Sequence, residues 1–241
     1  MINREKVVRM KYELQWDSEE EGHLIFLEKA TEWLYFDIFM IGEEAELVIN
    51  GGEIVDKVRQ SEILSGKLLE QLRKCIKKAF SLLWNEGIEE VFFVEKQGDL
   101  FIKRLKEENV IELVYSEYMM KRKFSIKDIY KESEITLEII EEEDSFICEN
   151  KEKSFFCRLL PYQGESEFYL YEVQVVEHLR NQGIATKCLK QLYSDLVKKS
   201  GEKKEVTVYL QVGSYNKPAV HLYQKLGFEL SEEICYNTIK Q

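Results

Sequence analysis

The stretch VQVVEHLRNQGIATKCL, which runs from Val173 to Leu189, places the end of an apolar strand directly before a tight turn and an amphipathic helix. Such a turn directs several backbone N–H groups the same way at the positive end of a helix dipole, where they bind phosphate without a basic side chain. Gly183 lets a ligand approach the backbone closely, and Ala185 keeps a nearby position small. Many turns before helices contain one glycine, so this stretch alone also fits an ordinary turn.

A second pattern follows another predicted strand. The segment NKPAVHLYQKLGF begins at Asn216, and the residues Asn216 and Pro218 predict a helix start. Gly227 predicts the end of that helix. Tyr223 lies one turn beyond Ala219, so both residues face the same side. A short amphipathic helix with a core tyrosine would show the same spacing.

Taken in this order, the two motifs resemble the GNAT superfamily of acyl-CoA N-acyltransferases over about Ile135 to Asn237. The resemblance implies acetyl-CoA as cosubstrate, with no metal. It also implies an amine acceptor, either a small molecule or a peptide, which attacks the thioester directly in a ternary complex. A non-catalytic acyl-CoA-binding sensor or regulatory module is the alternative.

The resemblance implies roles for individual positions. The strand edge would hold the pantetheine arm and polarise the thioester carbonyl through Val173, Gln174 and Val175. The turn and the first helical residues would cradle the pyrophosphate: Arg180, Asn181, Gln182, Gly183, Ile184, Ala185 and Thr186. Asn216 would hydrogen-bond the cofactor arm, and Tyr223 would protonate the departing thiolate.

The general base is less well defined. Glu172 is our candidate, because strand alternation places it on one face with Gln174, opposite Val173 and Val175. A solvated strand carboxylate is an equally good interpretation of Glu172, and a chain of water molecules would also serve as the base. His178 and His221 fit ordinary surface histidines, and His23 has no acidic or nucleophilic partner that the sequence identifies.

The chain contains an internal repeat. Glu152 to Arg180 aligns without a gap with Thr31 to Arg59, and both segments lead into a helical pattern, which in the first half extends from about Ile63 to Asn85. We therefore predict an α/β (α+β) fold made of two GNAT-like mixed-sheet domains in tandem, residues 1–124 and 125–241, related by a pseudo-two-fold axis. Two unrelated α/β halves are the alternative.

The first half departs from the motif. The alignment places Glu62 opposite Gly183 and Ile102 opposite Tyr223, so this half is predicted to be degenerate and unable to bind coenzyme A in the usual way. Leu64 and Lys106 stand in the same way opposite Ala185 and Gly227. Neither half has room for the two helices that usually follow the first strand of the family.

Composition limits the classes of function and location that the chain could have. The net charge of −11 argues against nucleic-acid binding and weakly favours a cationic substrate. No apolar run reaches the length of about 18 residues that a membrane span needs. The five cysteines form no C-x-x-C pair, which favours reduced thiols and a cytoplasmic protein. We expect a monomer with an internal pseudo-dimer or a weak homodimer, and the sequence does not name the acceptor.

Overall fold

A computed structural model describes residues 11–28, 31–60, 66–96, 98–129, 135–164, 166–201 and 205–240. The chain divides into two compact units, of which unit 1 consists of Met1–Ser116 and Ile234–Gln241, and unit 2 consists of Glu117–Glu233. Both units combine strands with helices, so the predicted α/β class is confirmed. The division of the sequence at residues 124 and 125 and the pseudo-two-fold axis stay predictions.

Unit 1 is a mixed sheet with helices packed on one of its faces. Its elements are β1 (Lys11–Trp16), β2 (Glu21–Glu28), β3 (Thr31–Ile41), β4 (Glu44–Gly51), α1 (Glu53–Gln60), α2 (Gly66–Asn85), β5 (Glu90–Lys96), α3 (Leu100–Glu107) and the end of β12 (Glu229–Ile239). The strand order is β1-β2-β3-β4-β5-β12, in which only β4 and β5 are parallel.

Unit 2 repeats this plan. Its elements are the end of β6 (Ile111–Phe124), β7 (Leu137–Glu141), β8 (Phe146–Asn150), β9 (Phe155–Pro161), β10 (Glu167–Val175), α4 (Ile184–Ser200), β11 (Val206–Gly213), α5 (Lys217–Lys225) and the start of β12. Short 3-10 turns lie at Ile126–Asp128 and Glu177–Leu179. The strand order is β6-β11-β10-β9-β8-β7, with β10 and β11 parallel.

The strand that closes each sheet comes from the other half of the sequence. In unit 1, β5 pairs with Ile234–Asn237 of β12, although β12 follows α5 in the chain. In unit 2, β11 pairs with residues 117–124 of β6, although β6 follows α3. Each unit therefore contains a strand that its own half of the sequence does not supply.

The apolar periodicity of the sequence explains the cores. In α4 the residues at the 3–4 spacing are buried, as the pattern predicts: Cys188, Leu189, Leu192, Tyr193 and Leu196. They pack on the inward side of the strands, to which Val208 and Leu210 of β11 contribute. All five cysteines are buried, and none of them is joined in a disulfide.

The region between β4 and α2 differs from the prediction. Ile54 and Val55 align with residues at the end of β10, yet they are buried in a separate helix, α1, that the pattern did not predict. Gly52 permits this change of direction, because its φ is +116° and a Cβ there would lie 2.5 Å from the carbonyl oxygen of Trp33. The predicted helix from Ile63 to Asn85 is α2, described from Gly66 onward; residues 61–65 lie outside the described ranges.

The two helices that the sequence left no room for are indeed missing between the described first and second strands of unit 2. β7 ends at Glu141 and β8 begins at Phe146, with only a tight turn between them. In unit 1 the turn between β1 and β2 is equally short. As a result, α4 and α5 pack on one face of the unit 2 sheet, and no described helix of this unit follows β7 to cover the other. None of the helices in the described ranges has the length and apolar character of a membrane span.

Candidate functional site

The turn before α4 has the conformation that the glycine motif predicts. Gly183 precedes the helix with φ +79° and ψ 7°, in the left-handed region, and Asn181 also has a positive φ of 62°. A Cβ added to Gly183 would meet no atom within 4 Å. Glycine is therefore favoured by the backbone conformation rather than by lack of space, and the open side of the turn is accessible.

The start of α4 is arranged as an anion site. The first N–H of the helical ladder belongs to Lys187 and donates to the Gly183 carbonyl at 3.0 Å, so the N–H groups of Ile184, Ala185 and Thr186 precede the ladder. No side chain caps this end, and the first turn contains no acidic residue. Because a helix N-terminus favours negative charge, these N–H groups can bind a phosphate.

Two side chains of the motif brace the turn. The Arg180 Nε donates to the carbonyl of Val175 at 3.1 Å, and the Gln182 Nε2 donates to the carbonyl of His178 at 3.3 Å. Arg180 keeps the remaining N–H groups of its exposed guanidinium for other acceptors. Both residues therefore lie where the sequence motif places them, at the rim of the turn.

Strand β10 separates from β11 as it approaches this turn. The parallel register covers only Glu167–Leu170 against Thr207–Leu210, whereas β10 continues to Val175 and β11 to Gly213. In the described part of the chain, the ends of β10 and β11 beyond Leu170 and Leu210 form no backbone hydrogen-bond ladder, so a gap opens between the two strands. Val173, Gln174 and Val175 lie along the β10 side of that gap.

A bulge turns the backbone at the same place. The register of β10 with β9 shifts between Tyr171 and Gln174, and Glu172 has a φ of +50°. Glu172 and Val173 together stand opposite the single residue Cys157, which is the pattern of a β-bulge. Bulges break the local ladder, so backbone groups of this segment can bind a ligand instead of a strand.

Helix α5 holds the second motif. The Asn216 side chain accepts from the N–H of Ala219 at 3.3 Å, which confirms its predicted role as the helix cap. Tyr223 is only 6% exposed and packs edge-on against Phe228 with 5.8 Å between the ring centroids. Burial, with a smaller effect from Cys157, raises the pKa of Tyr223 to about 12. Its phenol therefore keeps its proton at neutral pH, as a proton donor must.

Glu172 is exposed but engaged. Its carboxylate lies 3.1 Å from the Nε of Arg158. The Nη1 of the same guanidinium lies 2.8 Å from the carboxylate of Glu142. Accepting a proton would cost Glu172 this ion pair. The geometry therefore gives the base candidate a competing structural role.

The described part of unit 1 does not show the matching chemistry. Ile102, opposite Tyr223 in the alignment, is a buried apolar residue of α3. Lys106, opposite Gly227, forms an ion pair with Glu95 at 2.7 Å. The helix that follows β4 begins with Glu53, whose charge opposes an anion. Glu62 and Leu64 lie outside the described ranges.

Some polar partners could not be read from the sequence. His23 bridges Asp17 at 2.7 Å and Asp37 at 3.0 Å, and the Tyr35 hydroxyl lies 2.9 Å from its Nδ1. Strand register places Asp37 directly opposite His23, and sequence alone does not specify that register. His178 and His221 are exposed, as predicted. The described residues contain no group of three or more His, Cys, Asp or Glu side chains placed to hold a metal ion.

The face of the unit 2 sheet opposite α4 also carries tyrosines that the motifs did not single out. Tyr169 of β10 and Tyr209 of β11 are direct cross-strand neighbours. Tyr162 packs against both, with ring centroids 6.1 Å from Tyr169 and 5.0 Å from Tyr209. Period-2 alternation was the available signal, since Phe168 and Leu170 flank Tyr169, Val208 and Leu210 flank Tyr209, and all four apolar residues face the core.

Comparison with known proteins agrees with this architecture. Residues 112–228 match the family model described as the acetyltransferase (GNAT) family. A GCN5-related N-acetyltransferase from Sphaerobacter thermophilus is similar in structure, with a TM-score of 0.64, 11% identity, and coverage of 94% of this chain and 82% of that one. No curated protein has a significant sequence match to this chain.

Two further solved structures share the arrangement over nearly the whole chain. A tandem GNAT protein from the clavulanic acid biosynthesis pathway has a TM-score of 0.52 at 8% identity, with coverage of 92% of this chain and 83% of that one. A GCN5-related N-acetyltransferase from Kribbella flavida has a TM-score of 0.50 at 8% identity, covering 96% and 90%. The chain therefore has the fold of the GNAT superfamily, and residues 112–228 match the acetyltransferase family model.

Proposed function

We propose that the chain is an N-acyltransferase that transfers an acetyl group from acetyl-CoA to an amine acceptor, by direct attack in a ternary complex. The observation that carries this proposal is the gap between β10 and β11, which opens beyond Leu170 and leads to the uncapped start of α4. The gap suits an extended pantetheine arm, and the helix start suits the pyrophosphate. The family match over the same residues supports it.

The cofactor contacts follow from this geometry. The N–H groups of Gly183 to Thr186 bind the pyrophosphate, assisted by the guanidinium of Arg180 and by Asn181 and Gln182 at the rim. The β10 edge from Val173 to Val175 pairs with the pantetheine arm. Asn216, whose side-chain oxygen caps α5, keeps its amide N–H₂ to donate to the same arm.

The chemistry requires two proton movements. The acceptor nitrogen forms a bond to the carbonyl carbon while the carbon–sulfur bond breaks. A backbone N–H at the bulge donates to the carbonyl oxygen and stabilises the charge that develops there. Tyr223 gives its proton to the departing sulfur, and the nitrogen loses a proton to Glu172 or to water.

A non-catalytic acyl-CoA sensor is the second candidate, because Glu172 is already engaged by Arg158. The test is the release of free coenzyme A thiol from acetyl-CoA with a panel of amines, with the acylated product identified by mass spectrometry. Amine-dependent release supports the transferase. Tight binding of acetyl-CoA without release for any amine would support the sensor.

We expect one coenzyme A site per chain. Unit 2 has an uncapped helix start and a buried proton donor, whereas the alignment gives unit 1 Glu62 opposite Gly183 and Ile102 in place of the donor. Calorimetric titration with acetyl-CoA should therefore give a stoichiometry near one. A stoichiometry near two would show that unit 1 also binds the cofactor, despite its departures from the sequence motif.

A further inference from the structure

On the face of the unit 2 sheet opposite α4, Glu117 of β6 stands at the open end of the gap. It lies directly opposite Gly213, the last residue of β11. Met120 of β6 is a core residue. Glu117 lies three positions before it on the same strand, so its side chain points to the opposite face, which also carries Tyr169 and Tyr209. The Gln211 amide donates to its carboxylate and fixes it over β11.

An exposed aromatic ring lies beside the cross-strand partner of Glu117. Directly opposite residues of an antiparallel pair point to the same face, so the missing side chain of Gly213 leaves room beside Glu117. Tyr215 fills that room, since a Cβ on Gly213 would lie 2.6 Å from the Tyr215 ring. Yet Tyr215 is 73% exposed. An aromatic ring held in place at the surface next to a carboxylate is available to a ligand.

Tyr169 lies on the same face, further along the sheet. It is opposite Tyr209, whose partner on β6 is Lys121, four residues from Glu117. Burial raises the pKa of Tyr169 first, and the charge of Glu117 raises it further. A carboxylate beside an exposed tyrosine ring suits an organic cation, because the ring adds cation–π attraction to the ion pair.

We infer that Glu117 and Tyr215 form a subsite for a positively charged group of the acceptor, other than the amine that is acylated. This inference rests on the proposed function for the position of the thioester, in the gap beside β10. β11 stands between Glu117 and the gap, so the two positions are more than one strand spacing of about 5 Å apart, and the gap adds to this distance. The acceptor is then a molecule that carries two cationic nitrogens separated by a chain long enough to bridge that distance, such as a diamine.

The test compares three acceptors with acetyl-CoA: 1,5-diaminopentane, pentylamine, which lacks the second charge, and 1,3-diaminopropane, which is too short. We expect kcat/KM for 1,5-diaminopentane to exceed that for each of the others by about tenfold, the worth of one cation–π and ion-pair contact. Glu117→Gln keeps the hydrogen bond to Gln211 but removes the charge, and it should reduce this preference to about one. Equal kcat/KM for the three acceptors in the unsubstituted protein would overturn the inference.

Two variants separate a local effect from a general one. Glu205→Gln removes a carboxylate at the far end of β11, where it pairs with Lys123 at 3.8 Å, and should keep the full preference. Tyr215→Leu removes one exposed ring and should reduce the preference several-fold without disturbing the core. A loss of preference in Glu205→Gln equal to that in Glu117→Gln would contradict a specific subsite.

A binding measurement distinguishes failure of this inference from failure of the proposed function. Calorimetric titration of 1,5-diaminopentane into the protein saturated with coenzyme A reports on the subsite without turnover. Binding that weakens about tenfold in Glu117→Gln supports the inference even if no amine is acylated. If Glu117→Gln binds the diamine as tightly as the unsubstituted protein does, the subsite is refuted, even if another amine proves to be an acceptor.

Discussion

Replacing Gly183 with glutamate is expected to abolish coenzyme A binding and leave the fold intact. The substitution copies Glu62, which the repeat places at the matching position of the first half. It puts a negative charge at the start of α4, where the N–H groups of Ile184 and Ala185 would otherwise meet the pyrophosphate. We expect an affinity loss of about 100-fold or more by calorimetric titration, because repulsion adds to the lost contacts.

Gly183→Ala is the matched control. The φ of +79° at position 183 strains any residue other than glycine by about 1 kcal/mol. A Cβ at this position, however, would meet no atom within 4 Å. The alanine variant should therefore unfold at a slightly lower temperature and retain most of its affinity for coenzyme A. Unchanged affinity in the glutamate variant would show that the cofactor lies elsewhere.

Tyr223→Phe is expected to lower kcat by roughly 10²–10⁴ with little effect on the affinity for acetyl-CoA. A general acid acts in the transition state, so its loss affects turnover rather than ground-state binding. The substitution removes only the hydroxyl and keeps the ring against Phe228, so the core should remain packed. Steady-state kinetics beside calorimetric titration of the cofactor measure the two effects separately.

The pH profile adds a second check on Tyr223. Burial raises its pKa to about 12, so the phenol stays protonated well above neutral pH. Its ionisation should therefore cause no fall in kcat between pH 7 and 10, and any fall in that range belongs to another group. A phenylalanine variant with unchanged kcat would return Tyr223 to a packing role, in agreement with its burial.

The sequence predicts α4 and α5 well because local chemistry determines both helices. Asn216, Pro218 and Gly227 are start and stop signals, and the apolar residues of α4 repeat at the helical period. The left-handed turn at Gly183 follows from the same local reasoning, since glycine is the residue that adopts it without strain. These features need no knowledge of the rest of the chain.

The strand exchange could not be predicted in this way. β6 and β12 occupy matching places in their own halves of the sequence, and nothing in their patterns says which sheet each one joins. The exchange gives Glu117, at the end of the first half of the sequence, a place at the gap of unit 2. It also means that a fragment from Ser125 to Gln241 would lack the strand that pairs with β11, so such a fragment cannot test unit 2 alone.

Register explains the other differences. The bulge at Glu172 and the ion pair with Arg158 depend on how β9 and β10 align, and the partners of His23 depend on the register of β2 and β3. Helix α1 lies where the pattern predicted neither a strand nor a helix, and Ile54, Val55 and Val58 form its buried face. A short apolar run of this kind fits both structures.

The most direct test of the account is an experimental structure of the chain with coenzyme A. We expect density for one cofactor per chain, with the pyrophosphate at the N–H groups of Gly183 to Thr186. The pantetheine arm should pass between β10 and β11, and its sulfur should lie within hydrogen-bond reach of the Tyr223 hydroxyl. A cofactor bound in unit 1, or one whose sulfur lies far from Tyr223, would contradict it.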